Sequence, residues 1–182
     1  MKKVNLAGFD NSWYQPSDWT SRVAWYFTNA IFFRSSIPWP SRCKILILRL
    51  FGAKVGKGVI LKPRVNIKYP WFLEAGNNVW FGEDVWIDNL GMVKIGNNVC
   101  LSQGALLLCG NHNFTKEFFD LIVGEIILEE GVWVGAKAVV CPGVTMNSHS
   151  ILTVGSILTQ NTETNGIYKG NPAVLVKRRQ IY

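Results

Sequence analysis

The chain has 182 residues, of which 48% are hydrophobic and 17% charged, so it is long enough for one or two globular domains and excludes a disordered polymer. Its net charge of +7 is uneven: residues 1–62 hold ten basic residues and only two acids, Asp10 and Asp18. A basic half points to an anionic partner, a membrane surface or a phosphate-bearing substrate, or else to an ordinary solvated surface. The cations sit among apolar residues and no nucleic-acid motif is present, which argues against nucleic acid.

Residues 1–54 read as a helical segment. The first residues carry lysines but neither an apolar core nor a cleavage site of a secretory signal, so a reducing cytosol is the expected compartment. The run Val23–Phe33, between Arg22 and Arg34, is apolar and aromatic but too short to span a bilayer, which takes about 20 residues. Pro38 and Pro40 should end that helix, and Ser41 should cap a second, SRCKILILRLF, that stops before Gly52. Two readings remain for residues 19–51. They pack on the body, or they lie peripherally on an anionic membrane, aromatics in the interface and arginines at headgroups.

From Val55 to about residue 160 an aliphatic residue recurs every six positions, with a Val or small residue four positions after it. The series runs VGKGVI at Val55, LKPRVN at Leu61, IKYPWF at Ile67, AGNNVW at Ala75 and FGEDVW at Phe81. It resumes with IGNNVC at Ile95, LSQGAL at Leu101 and LLCGNH at Leu107, then continues from LEEGVW at Leu128 to LTVGSI at Leu152. A period of six is neither 3.6 nor 2. It fits a triangular parallel β-solenoid with three hexapeptides per coil, the aliphatic residues inside and Gly at corners.

Two interruptions break this series. Asp88–Met92 throws the count off by two, and residues 111–125, NHNFTKEFFDLIVGE, form a long insertion. Solenoid insertions become loops on the working face, and a compact domain seldom carries so long a loop without a use. His112 stands at the base of the second. A hydroxyl acceptor needs a base near neutrality as it attacks a thioester, and imidazole supplies one. The other histidine, His149, sits inside a regular repeat at an expected turn. The four cysteines form no Cys-x-x-Cys pair and no ligand spacing with the histidines, so no metal or disulfide framework is expected. Residues 161–182 read as a C-terminal tail.

The repeat resembles the hexapeptide-repeat acyltransferases, which implies a left-handed parallel β-helix with an N-terminal helical segment and a protruding loop. General crossover rules would give the opposite hand. Residues 93–177 are similar to the galactoside, maltose and nodulation-factor O-acetyltransferases. That resemblance implies an acetyl-CoA donor, His112 in CGNHNF as general base, and Trp133 in VWVGAKAVVCPGV as a wall of the site. It also implies acceptor contacts by Asp88 and Asn89, with Asn111 and Asn113 as weaker candidates. Coenzyme A would follow the groove between subunits of a homotrimer, along Gly135, Ala136, Val154, Gly155, Ser156 and Thr159. Gln160 stands where the family commonly has lysine. Lys177, Arg178 and Arg179, after the GNPA segment Gly170–Ala173, would meet the 3′-phosphate or simply be solvated.

The segments NLAGFDNSWY, RLFGAKVGKGV, PRVNIKYPWFLEAG and EDVWIDNL extend the resemblance over nearly the whole chain to the colanic acid biosynthesis acetyltransferases (WcaF-like). It implies a sugar-hydroxyl acceptor in exopolysaccharide synthesis, on a lipid-linked oligosaccharide. N-acyl transfer to an amino sugar or amino acid, and a non-catalytic scaffold, are the alternative functions.

Overall fold

The structure is a computed structural model that describes residues 3–182. Short parallel strands stack into a left-handed parallel β-helix of triangular section. One face has five strands, from Lys54–Val55 to Thr145–Met146. The second face has seven, beginning at Ile60–Leu61, and the third has five, from Asn66–Ile67 to Ile157–Leu158. The lead residue of every hexapeptide named above points inward. Leu61, Ile67, Phe81, Leu101, Leu107, Val134, Val140 and Leu152 are all 3% exposed or less. Away from the interruptions the residue four positions on is buried too, as at Val65, Val79, Val85 and Val99. Each coil thus stacks apolar side chains on those of the coil below, and the core is one continuous column.

The residue just before that second buried position turns the corner in the left-handed region. It is Gly at 58, 104, 131, 143 and 155, and Arg64, Asn78, Asp84, Asn98, Lys137 and His149 elsewhere, all with φ between +55° and +80°. His149 therefore occupies a structural corner, as its repeat implies. Where glycine follows the lead position it answers a different need, close approach between coils. A Cβ on Gly76 would lie 2.6 Å from Asn97 Oδ1 and 2.9 Å from the Gly96 carbonyl carbon.

Coil length locates the edge that carries the insertions. Ala75 pairs with Val55 and Ile95 with Ala75, so the early coils take twenty residues; Trp133 pairs with Ile151, eighteen apart. The two extra residues fall at the corner between the third and first faces, at 68–72 and again at 88–92. The long insertion leaves from the same corner one coil further on, between Leu106–Leu108 and Ile126–Leu128. The sequence reading missed the first of these three, because IKYPWF matches a hexapeptide although Ile67 to Ala75 is eight positions.

Two helices cover the first coils. α1 (Trp19–Thr28) starts on Asp18, whose carboxylate accepts from the Ser21 N–H, and runs into a π-helical turn at Asn29–Phe33. Trp25 is 2% exposed and donates from Nε1 to the Ile67 carbonyl, while Phe33 is fully buried. α2 (Ser41–Leu50) ends on Gly52, with Ala53 N–H bonded to the Leu48 carbonyl and Gly52 N–H to that of Arg49. Ser41 does not cap this helix as expected. Pro40 occupies the cap, and the Ser41 hydroxyl instead accepts from Leu61 N–H, tying the helix to the solenoid. No helix among the described residues is long and apolar enough to cross a membrane.

The terminal segments are more ordered than a helix and a tail. Residues 3–18 form an arm that crosses to the long insertion, with Asn5 N–H bonded to the Glu117 carbonyl and the Tyr14 hydroxyl to that of Leu90. Residues 161–182 include an antiparallel hairpin, Gly166–Gly170 with Ala173–Arg178, that closes the second face.

Candidate functional site

Three stacked insertions on one edge make the candidate site. The lowest brings Lys68 and Tyr69, the next Asp88, Asn89 and Leu90, and the third a two-stranded hairpin, Gly110–His112 with Leu121–Val123. The N-terminal arm roofs them. Gly8 lies against Phe118, where a Cβ would come within 2.5 Å of the ring. A cavity of about 750 Å³ runs between arm and edge, lined among others by Phe9, Asn11, Tyr14, Lys68, Tyr69 and His112.

His112 is held on three sides. Its ring stacks on Phe119 at 4.6 Å and 12°, and Phe9 meets it edge-on at 5.5 Å. Its Nδ1 lies 2.8 Å from the Phe119 carbonyl oxygen. A carbonyl can only accept, so Nδ1 carries a proton, and in the neutral ring the lone pair is then on Nε2. Phe119 is in the left-handed region, φ +56°, an unusual place for a bulky residue, and that conformation accompanies the carbonyl's approach to the ring. The backbone N–H of His112 donates to the side chain of Asn111. The arrangement is a fixed imidazole with one free basic nitrogen at a cavity wall.

The other expected acceptor contacts divide. Asp88 is 8% exposed and lines a second cavity beside the first, with Oδ1 2.9 Å from Lys68 Nζ. Asn89 is a correction: it is fully buried, and its amide accepts from Tyr69 N–H and donates to the Tyr69 carbonyl. That side chain splices two insertions together and leaves nothing for a sugar. Neither residue orients the imidazole, a task that falls to the Phe119 carbonyl. The side-chain oxygen of Asn113 accepts from the Thr115 N–H and hydroxyl. Tyr14, on the arm, has its hydroxyl 2.5 Å from the Leu90 carbonyl, and burial first, then the neighbouring Tyr69 and Asp88, pushes its pKa far up, so it is neutral.

The residues expected at coenzyme A lie on another edge. Trp133 is on the second face, half exposed, donating from Nε1 to Ser102 Oγ at 2.9 Å. Gly135 and Ala136 turn the corner from the second to the third face, and Val154 and Gly155 turn it one coil later, with Gly155 N–H bonded to the Ala136 carbonyl. None of these five lines the His112 cavity. Ser156 is 1% exposed, its hydroxyl accepts from Gly170 N–H, and its own N–H and carbonyl bond Thr153 and Val139. Thr159 is exposed beyond the last third-face strand. In the closing hairpin Lys177 is exposed, Arg178 pairs with Glu163, and Arg179 donates to the Gly131 carbonyl. Among the described residues no three His, Cys, Asp or Glu side chains gather to hold a metal ion.

Sequence reasoning missed Phe9, Tyr14 and Phe119. A signal existed for the arm, since Phe9 and Trp13–Tyr14 are aromatic within an otherwise polar stretch, but nothing in their spacing shows that they cross to the insertion.

No protein-family model matches the sequence. The chain is 34% identical over 155 residues to an Escherichia coli (strain K12) protein assigned to colanic acid biosynthesis as the acetyltransferase WcaF, covering 85% of each chain. It is 27% identical over 135 residues to the galactoside O-acetyltransferase of the same organism, covering 72% of this chain and 66% of that one. Its fold superposes on a Vibrio cholerae hexapeptide-repeat acetyltransferase, VCA0836, solved with acetyl coenzyme A, at a TM-score of 0.80 with 16% identity, over 89% of this chain and 88% of that one.

Proposed function

The chain belongs to the hexapeptide-repeat acetyltransferases, and from that premise we propose that it uses acetyl-CoA to O-acetylate a sugar hydroxyl in exopolysaccharide synthesis. The observation that carries the acceptor chemistry is the His112 ring, with Nδ1–H donated to the Phe119 carbonyl and a basic Nε2 at the wall of a cavity of about 750 Å³. Nε2 removes the acceptor proton as the hydroxyl oxygen attacks the thioester carbonyl. Collapse breaks the C–S bond, and the imidazolium returns the proton to the departing thiolate. The products are the acetyl ester and free coenzyme A, with no acetylated enzyme between.

The reading places coenzyme A along Trp133, Gly135, Ala136, Val154 and Gly155. Because that corner and the His112 edge are different edges of one triangular chain, the reaction requires a neighbouring copy to bring them together, as in a homotrimer. The exposed aromatic face of the N-terminal helices, with Trp19, Tyr26, Phe27 and Ile31, would rest on an anionic membrane carrying a lipid-linked acceptor. Thiol release from acetyl-CoA with a panel of hydroxyl and amino-sugar acceptors tests the reaction. Turnover confined to amino acceptors would replace O-transfer with N-transfer. Light scattering tests the trimer, which a monomer would contradict. Flotation with anionic liposomes, comparing the full chain with one lacking residues 1–51, tests the membrane contact.

A further inference from the structure

The N-terminal arm roofs the His112 cavity, and its burial pattern is that of a movable part. Residues 3–15 are all exposed except Phe9 and Tyr14, which are partly buried. Hydrogen bonds within the arm are short turns that travel with it, such as Gly8 N–H to the Asn5 carbonyl and Phe9 N–H to that of Leu6. The ties from arm to edge are thin by comparison. Asn5 N–H meets the Glu117 carbonyl at 2.8 Å, Gly8 lies against the Phe118 ring, and the Tyr14 hydroxyl donates to the Leu90 carbonyl. A segment with little buried apolar surface and few bonds to the core opens at far lower cost than the solenoid beneath it.

The fixed end of the arm is at Pro16, which is buried, and at Asp18, which caps α1. Tyr14 stands next to that end and Phe9 lies further out. Burial first, then Tyr69 and Asp88, raises the pKa of the Tyr14 phenol, so it keeps the proton that it donates to Leu90. Leu90 belongs to the second insertion, and the imidazole that Phe9 meets is carried by the third. One bond at Tyr14 therefore fixes how the arm sets Phe9 on His112.

We infer that Tyr14 is a positioning residue that latches a movable arm over His112. With the arm raised an acceptor enters, and with it seated Phe9 braces the imidazole and the cavity of about 750 Å³ has its roof. The inference rests on the proposed role of His112 as base and deepens it. Diethyl pyrocarbonate, which acylates an unprotonated imidazole nitrogen, reads the motion with no acetyl transfer, so its outcome is separate from that of the acceptor assays. His149, at a corner between the first and second faces, is the internal reference. Tyr14→Phe removes one hydrogen bond, and Gly8→Val adds a side chain where Phe118 leaves no room. Each should raise modification of His112 relative to His149 about three- to tenfold, read by mass spectrometry, with an unchanged melting temperature. The Asn5 amide should exchange its hydrogen faster by the same factor, while the Trp133 amide, bonded to the Ser150 carbonyl within the second face, stays as slow as in the unaltered chain. A ratio unchanged in Tyr14→Phe would overturn the inference, whether or not Gly8→Val raises it. So would faster exchange at Asn5 with His112 modification unchanged, since the arm would then move without guarding the imidazole.

Discussion

Phe119→Gly separates folding from orientation at the imidazole. The substitution removes a ring stacked at 4.6 Å on His112, a contact worth about 0.5–1.5 kcal/mol. It also removes a side chain from the left-handed region, φ +56°, where an L-residue loses about 1–2 kcal/mol. The two effects oppose each other, so stability should change by no more than about 1.5 kcal/mol. Orientation has no such compensation: one wall of the imidazole is gone, and the carbonyl that holds the Nδ1 proton sits on a freer backbone. A displacement of the base on the order of 1 Å costs about a hundredfold in rate, so turnover should fall between roughly ten- and a hundredfold. Thiol-release kinetics beside a thermal melt read both effects, and ¹⁵N NMR of the imidazole reads the tautomer. Phe119→Tyr, which restores the ring, should restore turnover. Wild-type turnover in Phe119→Gly, or a loss of rate that follows a loss of stability, would refute the positioning role.

Lys44 is fully buried, with Nζ 2.9 Å from the Lys62 carbonyl oxygen and above the Phe33 ring, and burial lowers its pKa below the usual lysine value of 10.5. Lys44→Met should therefore raise the melting temperature at pH 7, and the gap should narrow as pH climbs towards 10.5, because the unfolded chain then holds more protons than the folded one. Gly76→Ala puts a Cβ 2.6 Å from Asn97 Oδ1 and should cost about 1–3 kcal/mol in denaturant unfolding by forcing neighbouring coils apart. Burial pushes the Cys109 thiol up to about 11, so iodoacetamide at pH 8 should modify it slowly in the folded protein and readily after unfolding. Removing residues 1–12, which takes Phe9 off the imidazole, should raise the acceptor KM several-fold and leave acetyl-CoA binding unchanged by calorimetry.

The solenoid was legible because its determinant is local and repeated. An aliphatic residue at each lead position and a small one four places on suffice to place Leu61, Val65, Leu101 and Ala105 inside. The same rule set the two histidines apart, since His149 falls at a corner with φ +58° and His112 falls where the repeat gives way to the insertion. What held His112 was not legible. Its hydrogen-bond partner is a backbone carbonyl, which carries no residue code, and its edge-on neighbour Phe9 arrives from a segment more than a hundred positions away. Asn89 was misread for a related reason. An asparagine in an insertion looks like a free polar group until the stacked insertion below, with Tyr69 at its centre, is seen to consume both ends of the amide.

The central claim is that Nε2 of His112 removes the acceptor proton. His112→Gln keeps a side chain of similar reach without a base. The decisive measurement is its turnover on a sugar acceptor beside its calorimetric affinity for acetyl-CoA. The account predicts a fall of at least about a hundredfold in kcat with affinity for acetyl-CoA unchanged within about twofold. Turnover close to that of the unaltered chain would contradict it.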